Sequence, residues 1–179
     1  MREVIEASLG ESDTSIAQVI QLSLQQAALA LTRSINFERG ELWVISIFEV
    51  QGDELVRVAA VREDGHAERP APRTWRRQEG FVGEAWHNRR EVIVEDSVSE
   101  PERYHVPQAK RRENDPTNYR SMAVVPVEVG ETFWGVVAVS SSKQRRFLRG
   151  PTTHNIVTVQ QTAGMIALLV RAFYTRDTR

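Results

Sequence analysis

The sequence of 179 residues contains no cysteine. Disulfide bonds, thiolate metal sites, thiol nucleophiles and cofactors held through a cysteine thioether are therefore excluded. An excess of charge is also missing, because 23 basic residues stand against 24 acidic ones, so no global attraction to nucleic acid or to an anionic membrane is expected. The first 15 residues carry four acids and lack the apolar run typical of a signal peptide, so we expect a cytoplasmic protein.

Charged side chains are missing from two long segments. Residues 14–32 and 150–170 contain no Asp, Glu, Lys or Arg, although a helix on a protein surface normally has one charged face. Four glutamines make the first segment too polar to span a membrane, so no membrane partner is expected. Acids are also missing from residues 132–176, which contain a short basic loop at 143–149. This short patch indicates a solvated loop or an acidic partner surface rather than a nucleic-acid site.

The residues that are present predict an α+β fold in one domain over residues 1–179. Apolar periodicity predicts helices, and β-branched runs joined by short glycine turns predict hairpins. We expect residues 1–12 to be flexible, long helices at 13–35 and 151–174, a short helix at 80–88, hairpins at 41–61 and 119–141, and a strand at 91–95. This order is typical of a mostly antiparallel sheet with both terminal helices on one face and loops plus short helices on the other.

Each terminal helix has a second apolar seam opposite the stripe that should face the core. Leu22 and Leu29 are seven residues apart and lie on a side where a lone surface helix would carry Lys and Glu. Val157 and Leu168 form the corresponding seam of the last helix. We therefore expect a homodimer whose interface consists of Gln18, Leu22, Gln25, Leu29, Val157, Gln161 and Leu168.

Two stretches, taken together, resemble the GAF domain family. The first comprises residues 79–85, 91–96 and Pro101, and the second comprises residues 119–127, 135–139 and Phe147. They are similar to the family's glycine-rich helix, the strand ending in aspartate and the last two strands. The resemblance implies a GAF-like (PAS-like) fold and a regulatory module that binds a small molecule and dimerises through its terminal helices.

This sequence lacks residues that several of the family's known ligand classes need, which narrows the range of expected ligands. Cyclic-nucleotide GAF domains resemble this chain only at Lys143 and Phe147, while Ser142, Pro151 and Thr152 stand where those domains have an Asn and an acidic pair. The family's Lys-to-Asp clasp cannot form, so a cyclic nucleotide is not expected. Covalent bilin attachment and the methionine sulfoxide reductase branch both need cysteine and are excluded. No cofactor is identified.

The resemblance places a ligand pocket between the short helix, its strand, the long loop and the strand that begins at residue 119. The side chains there suit a small polar or anionic ligand, with Arg120 as a bidentate donor and Ser121 and Asp96 as hydrogen-bonding groups. Phe81 or Tyr104 would stack on it. In the structural alternative, Asp96 caps a turn and Arg120 pairs with a loop carboxylate.

Catalytic and metal-binding residues are not predicted. Glu95 and Asp96 are adjacent on a strand and would point to opposite faces, and the four histidines do not occur at metal-ligand spacing. The sequence therefore predicts a non-enzymatic sensory domain that signals to a separate output protein through its helical dimer interface. The alternative is a ligand-free, degenerate fold that acts as a protein–protein assembly or adaptor module.

Overall fold

The structure is a computed structural model that describes residues 15–65, 73–99, 106–150 and 153–176. Within these ranges the helices and strands are α1 Ile16–Ile35, β1 Trp43–Gln51, β2 Glu54–Arg62, α2 Gly80–Asn88, β3 Val92–Val94, α3 Asp115–Asn118, β4 Ser121–Val129, β5 Thr132–Ser141 and α4 His154–Arg176. A short 3-10 turn, Gln108–Lys110, precedes α3.

The five strands form one antiparallel sheet in the order β2-β1-β5-β4-β3. The central pair, β1 and β5, runs in register from Trp43 opposite Ser141 to Glu49 opposite Gly135. At Gly135 a Cβ would lie 2.0 Å from the carbonyl oxygen of Phe48. The close approach of the two central strands therefore requires glycine at this position.

Helices α1 and α4 lie side by side on one face of the sheet. Ser15 caps α1 in a capping box with Gln18, in which the Gln18 amide donates to Ser15 Oγ and the Ser15 amide donates to Gln18 Oε1. Near the other end of α1, Ser34 Oγ is hydrogen-bonded to His154 Nε2 at 3.2 Å and to Thr158 Oγ1 at 2.7 Å. The end of α1 therefore contacts the start of α4, and the two helices run antiparallel. Their inner faces form the larger core with the sheet.

Helix α2 and the connecting segments lie on the opposite face of the sheet. They enclose a second, smaller core that includes the buried residues Leu55, Trp86 and Val94. Helix α2 passes so close to the loop before it that a Cβ on Gly83 would lie 2.0 Å from the carbonyl oxygen of Arg76. Helices on both faces of a central antiparallel sheet confirm the predicted α+β fold.

The outer surface of α1 and α4 is exposed and apolar. Leu22, Leu29, Met165 and Leu168 have exposed fractions between 57% and 67%. Helix α4 is also long and apolar enough to cross a membrane, by length and composition only. The sequence-based prediction about membrane spans concerned residues 14–32 and not this helix. Because the inner face of α4 packs on the sheet, it also resembles the core helix of a globular domain.

The observed boundaries differ from the predicted ones by one to three residues. Helix α1 begins at Ile16 after the cap Ser15, whereas the predicted start at residue 13 lies outside the described residues, as does the segment 1–12 that was expected to be flexible. Helix α4 spans 154–176 instead of 151–174, β3 is two residues shorter than expected, and β4 begins at residue 121. Helix α3 was not predicted because its four residues are too few for a periodic signal.

Candidate functional site

A cavity of about 400 Å³ lies on the sheet face that carries α2. Its lining is mostly apolar, with aromatic rings on several sides and a few polar groups. The lining side chains come from the sheet (Val44, Ser46, Phe48, Arg57, Met122, Val124, Ala138, Val139, Ser140), from α2 and the loop before it (Arg73, Trp75, Phe81, Val82), and from the later loops and α3 (Ser97, Val98, Val106, Arg111, Arg112, Asp115, Pro116, Tyr119). A cavity of this size and character is typical of a small-molecule site.

Arg57 is the half-buried cation that β2, an edge strand of the sheet, contributes to the cavity. It stands on β2 opposite Phe48, next to the irregularity in the β1–β2 pairing between Ile47 and Phe48. Its side chain is half-buried, and its guanidinium forms no hydrogen bond or ion pair with a described residue. Burial lowers the pKa of Arg57, and the nearby cations Arg62, Arg112 and Arg73 lower it further. A positive charge without a counterion in such a place favours an anionic ligand.

Arg73 forms the adjacent wall and is already paired. Its Nη1 donates to Asp115 Oδ2 at 2.7 Å and to the carbonyl oxygen of Lys110 at 3.0 Å. The guanidinium carbon lies 5.2 Å from the Trp75 ring centroid and 5.5 Å from that of Tyr119. Burial raises the pKa of Tyr119, which therefore stays a neutral phenol. The cation is held between two aromatic faces and one carboxylate.

Two further polar atoms of the cavity residues are buried without a hydrogen-bond partner among the described residues. They are Asp115 Oδ1 and Ser140 Oγ. Ser140 is 95% buried, since its exposed fraction is 5%. Buried polar atoms without partners are rare in native proteins and indicate a site for water, an ion or a ligand. No group of three His, Asp or Glu side chains within the described ranges has the arrangement of a metal site.

Ion pairs attach the segment around the 3-10 turn to the loop before α2. Lys110 Nζ donates to Glu79 Oε2 at 2.5 Å and to the carbonyl oxygen of Thr74 at 2.9 Å. Burial raises the pKa of Glu79, but the hydrogen bonds from Lys110 and from the Arg76 amide outweigh it, so this pKa falls below its usual value. These contacts fix one wall of the cavity in place.

The sequence profile of the GAF domain matches residues 20–170, a range that includes all residues lining the cavity. The chain belongs to the GAF domain family. A comparison with curated protein sequences finds no match.

Solved structures similar to this GAF domain include regulatory domains and enzymes. Free methionine-R-sulfoxide reductase from Neisseria meningitidis, in complex with its substrate, is 18% identical over 97% of this chain and 86% of that chain, with a TM-score of 0.63. The type II enzyme from Thermoplasma acidophilum is 21% identical over 89% and 97%, with a TM-score of 0.61. The GAF domain of a phosphoenolpyruvate-protein phosphotransferase from Coxiella burnetii is 13% identical over 99% and 94%, with a TM-score of 0.60.

These neighbours contradict the expectation that the domain is not an enzyme. Two of the three are reductases with a GAF-like fold, so the fold supports catalysis as well as regulation. No catalytic constellation is recognisable in the sequence, because a pattern of a few separated residues leaves little trace in a single sequence. What the sequence does exclude is a thiol step, because the chain has no cysteine.

The GAF resemblance predicted five ligand-binding residues, and the structure places them differently. Phe81 lines the cavity. Asp96 and Arg120 instead bind each other, with Arg120 Nε and Nη2 each 2.8 Å from a carboxylate oxygen, and neither lines the cavity. The hydrogen bond from Arg120 lowers the pKa of Asp96, which also accepts from the Val98 amide at 3.2 Å. This geometry favours the structural alternative, a turn cap with a paired arginine.

Ser121 is fully buried and also has a structural role. Its Oγ donates to the carbonyl oxygen of Val94 at 2.8 Å and accepts from the Phe147 amide at 3.0 Å. The serine therefore ties β3, β4 and the loop before α4 together, behind the cavity rather than in it. Tyr104 lies outside the described residues, and its ligand contact stays a prediction.

The basic loop at 143–149 is partly neutralised in the fold. Lys143 pairs with Glu38, and Arg146 pairs with Glu41 and Glu38. The hydrogen bonds that Arg146 donates to Glu41 raise the pKa of Arg146. Because these acids come from the segment between α1 and β1, the acid-free C-terminal quarter of the sequence does not form a separate positive surface. An acidic partner surface at this loop stays a prediction with less support than the sequence gave it.

The sequence predicted the region of the cavity but not the polar residues that line it. Arg57, Arg73, Asp115 and Ser140 carry no family motif, and two of them lie in segments predicted as loops. For Arg57 there was a local signal. The alternation of a strand places it on the same face as the buried Leu55, which would have indicated a cation on the inner face, but the sequence analysis made no such prediction. For the others, only the three-dimensional fold brings them together.

Proposed function

We propose that this GAF domain is a sensory module that binds a small anionic ligand in the cavity and signals as a homodimer through α1 and α4. The observation that carries the proposal is Arg57, a half-buried guanidinium in a mostly apolar cavity with no counterion among the residues that the structure describes. An anion there would replace the water that burial removes from this cation. The open cavity also favours ligand binding over the degenerate fold whose pocket is filled by its own side chains.

Contacts from the cavity to the helices support a signalling role. Ser97 and Tyr119 line the cavity, and Ser97 Oγ donates to the carbonyl oxygen of Tyr119 at 2.6 Å. The Ser97 amide donates to the carbonyl oxygen of Arg120 at 2.7 Å, and the Arg120 side chain contacts Gln144 at 3.1 Å. Gln144 belongs to the loop that leads into α4. A displacement of the cavity wall would therefore reach the loop before α4 through a few direct hydrogen bonds.

The exposed face of α1 and α4 suits a second copy of the chain. Ser34 of α1 contacts Thr158 of α4, and the two helices run antiparallel. Counting backwards along α1 and forwards along α4 from this contact, Leu29 lies level with residue 163 and Leu22 with residue 170. Met165 and Leu168 of the antiparallel neighbour fall between these levels, which makes one apolar patch. Of the predicted interface residues, six are exposed and Val157 is half-buried. Met165 was not among the predicted residues and extends the patch.

The ligand proposal is tested by thermal unfolding of the wild type and the Arg57→Met variant in the presence of small carboxylates, with calorimetric titration of any that stabilise. A carboxylate that raises Tm in the wild type and not in Arg57→Met supports the proposal, because a ligand stabilises only the state it binds. Equal stabilisation of both proteins would contradict it. Arg39→Met, which removes the same charge from an exposed loop, is the control.

The dimer proposal is tested by Leu22→Glu combined with Leu29→Glu, measured by light scattering. The variant should be a folded monomer, since unpaired carboxylates in an apolar interface cost several kcal/mol, on the order of 3–5. Gln108→Glu with Thr132→Glu adds the same charge at exposed sites away from the helices and should stay dimeric. A wild type that is monomeric at high concentration would contradict the proposal.

Assembly without a ligand is the second candidate function, favoured by the exposed apolar patch rather than by the cavity. If the dimer forms but no ligand binds, this function is preferred. In either case the signal passes to a separate output protein, and a cytoplasmic location stays part of the proposal.

A further inference from the structure

One wall of the cavity comes from a segment that contributes little to the core. Residues 106–118 supply part of the lining: Val106, Arg111, Arg112, Asp115 and Pro116. Only Asn118 within this segment is buried. We propose that residues 106–118 are a lid that opens to admit a ligand to the cavity, and that Arg73 and Lys110 hold the lid closed. The inference shares with the proposed function the view that the cavity is a ligand site, but opening of the lid can be measured without a ligand.

The lid is a self-contained piece of chain. Among the described residues, the main-chain hydrogen bonds that its amides donate stay within it, as from Lys110 to the carbonyl oxygen of Pro107 and from Asn118 to that of Asn114. Such a segment can move without breaking the sheet. Its C-terminal end is fixed, because the Arg120 amide donates to the carbonyl oxygen at the end of β5 at 2.8 Å. The lid would therefore turn about this end.

Two cations join the lid to the loop before α2, one from each side. Arg73 of that loop donates to the carbonyl oxygen of Lys110 at 3.0 Å and to Asp115 Oδ2 at 2.7 Å. In the opposite direction, Lys110 Nζ of the lid donates to the carbonyl oxygen of Thr74 at 2.9 Å and to Glu79 Oε2 at 2.5 Å. Each cation thus binds one carbonyl oxygen and one carboxylate across the same seam, and hydrogen bonds to charged groups are the stronger ones.

The loop on the other side of this seam is anchored to the sheet. Trp75 and Leu55 of β2 exchange both main-chain hydrogen bonds, at 2.8 Å and 3.1 Å. The four charged side chains at the seam have exposed fractions between 15% and 25%, so water reaches them only in part. Because the loop is fixed and few lid residues are buried, opening of the lid should cost less free energy than unfolding of the domain.

The lack of cysteine allows a direct measurement of opening, since an introduced thiol is the only one in the chain. Ser46 lines the cavity from β1 and is 5% exposed, so the thiol of Ser46→Cys should react with N-ethylmaleimide only when the lid opens. Ala163→Cys, whose site in the larger core is 3% exposed, reports unfolding of the whole domain. Labelling of both proteins is followed by mass spectrometry at several low urea concentrations.

The thiol of Ser46→Cys should be labelled much faster than that of Ala163→Cys, at a rate that changes little with urea, because lid opening exposes little surface. Adding Lys110→Met should raise this rate about tenfold, since losing hydrogen bonds from a charged group shifts an equilibrium by roughly that factor. Lys143→Met is the matched control. It removes a lysine from an ion pair with Glu38 away from the cavity and should leave the rate unchanged.

Three results would overturn the lid. Equal rates in Lys110→Met and Lys143→Met would show that Lys110 does not hold it closed. The same urea dependence at both thiols would show that the cavity floor is reached only by global unfolding, and labelling of Ser46→Cys at the rate of an unfolded thiol would show an open cavity. Glu79→Gln removes the same ion pair and supplies the comparison where Lys110→Met does not fold. The ligand proposal can fail while the lid stands, and the reverse, because no ligand is present.

Discussion

Replacing Arg57 by methionine should stabilise the ligand-free domain while removing its ligand binding. The side chain is half-buried in β2, and its guanidinium has no counterion among the described residues. Burial lowers the pKa of Arg57, which means that the fold disfavours the charged form relative to water. Methionine has a flexible side chain of similar length, but it is apolar and carries no charge. The native residue is therefore unfavourable for stability and favourable for binding.

The size of the effect follows from the environment of the guanidinium. Partial removal of water from a charge, with cations nearby and no hydrogen bond in return, costs about 1 kcal/mol. For a domain of this size, that corresponds to an increase in Tm of roughly 2–4 °C. The gain stays well below the full cost of a buried charge, because part of the side chain still contacts water.

Urea denaturation of the ligand-free proteins measures this difference directly. Arg57→Met should show a higher midpoint with an unchanged slope, and it should no longer be stabilised by a carboxylate that stabilises the wild type. Arg57→Lys retains the charge and should retain weaker binding without the gain in stability. The control Arg39→Met removes an exposed charge and should change the midpoint little. A lower midpoint for Arg57→Met would refute the reasoning, since it would mean that the guanidinium holds the fold together.

Three further predictions concern the surroundings of the cavity. Gly83→Ala should cost more than about 2 kcal/mol in chemical denaturation, because its Cβ would lie 2.0 Å from a carbonyl oxygen of the preceding loop. The lowered pKa of Asp96 means that its stabilising effect is present above its usual value of 3.8 and is lost as pH falls below it, so Asp96→Asn should show a weaker loss of stability in acid. In ultraviolet titrations, comparison with Tyr119→Phe should show that Tyr119 ionises above its usual value of 10.0, since burial raises its pKa.

The general fold was predictable because several independent local patterns agree. The hairpins follow from β-branched runs with glycine turns, and α2 was predicted with the bounds that the structure has. The role of Gly83 as a site of close approach was also visible in the sequence, since a glycine inside a short helix usually marks such a contact. The exact ends of the long helices were not predictable. For α1, for example, residues suited to cap the helix occur at Ser12, Asp13 and Ser15 alike.

The site was less predictable because its residues come from distant parts of the chain. Arg73 and Asp115 are 42 residues apart and meet only after the loops fold over the sheet. The family resemblance identified Asp96, Arg120 and Ser121, which lie next to the cavity and hold its frame. Motifs therefore located the right region, whereas the side chains that face a ligand there carry no motif.

The residues that the motifs identified, Asp96, Arg120 and Ser121, lie next to the cavity. Through them, a ligand on Arg57 would affect more than its own binding affinity. Arg57 has no counterion among the described residues, and the proposed anion would remove the cost of this charge at the wall that includes Tyr119. The Tyr119 carbonyl oxygen is held by Ser97, which in turn binds the main chain of Arg120. A ligand shifts an equilibrium only by its difference in affinity for the two states. A charge left uncompensated in one state and paired in the other is such a difference, and it lies a few hydrogen bonds from the loop that leads into α4.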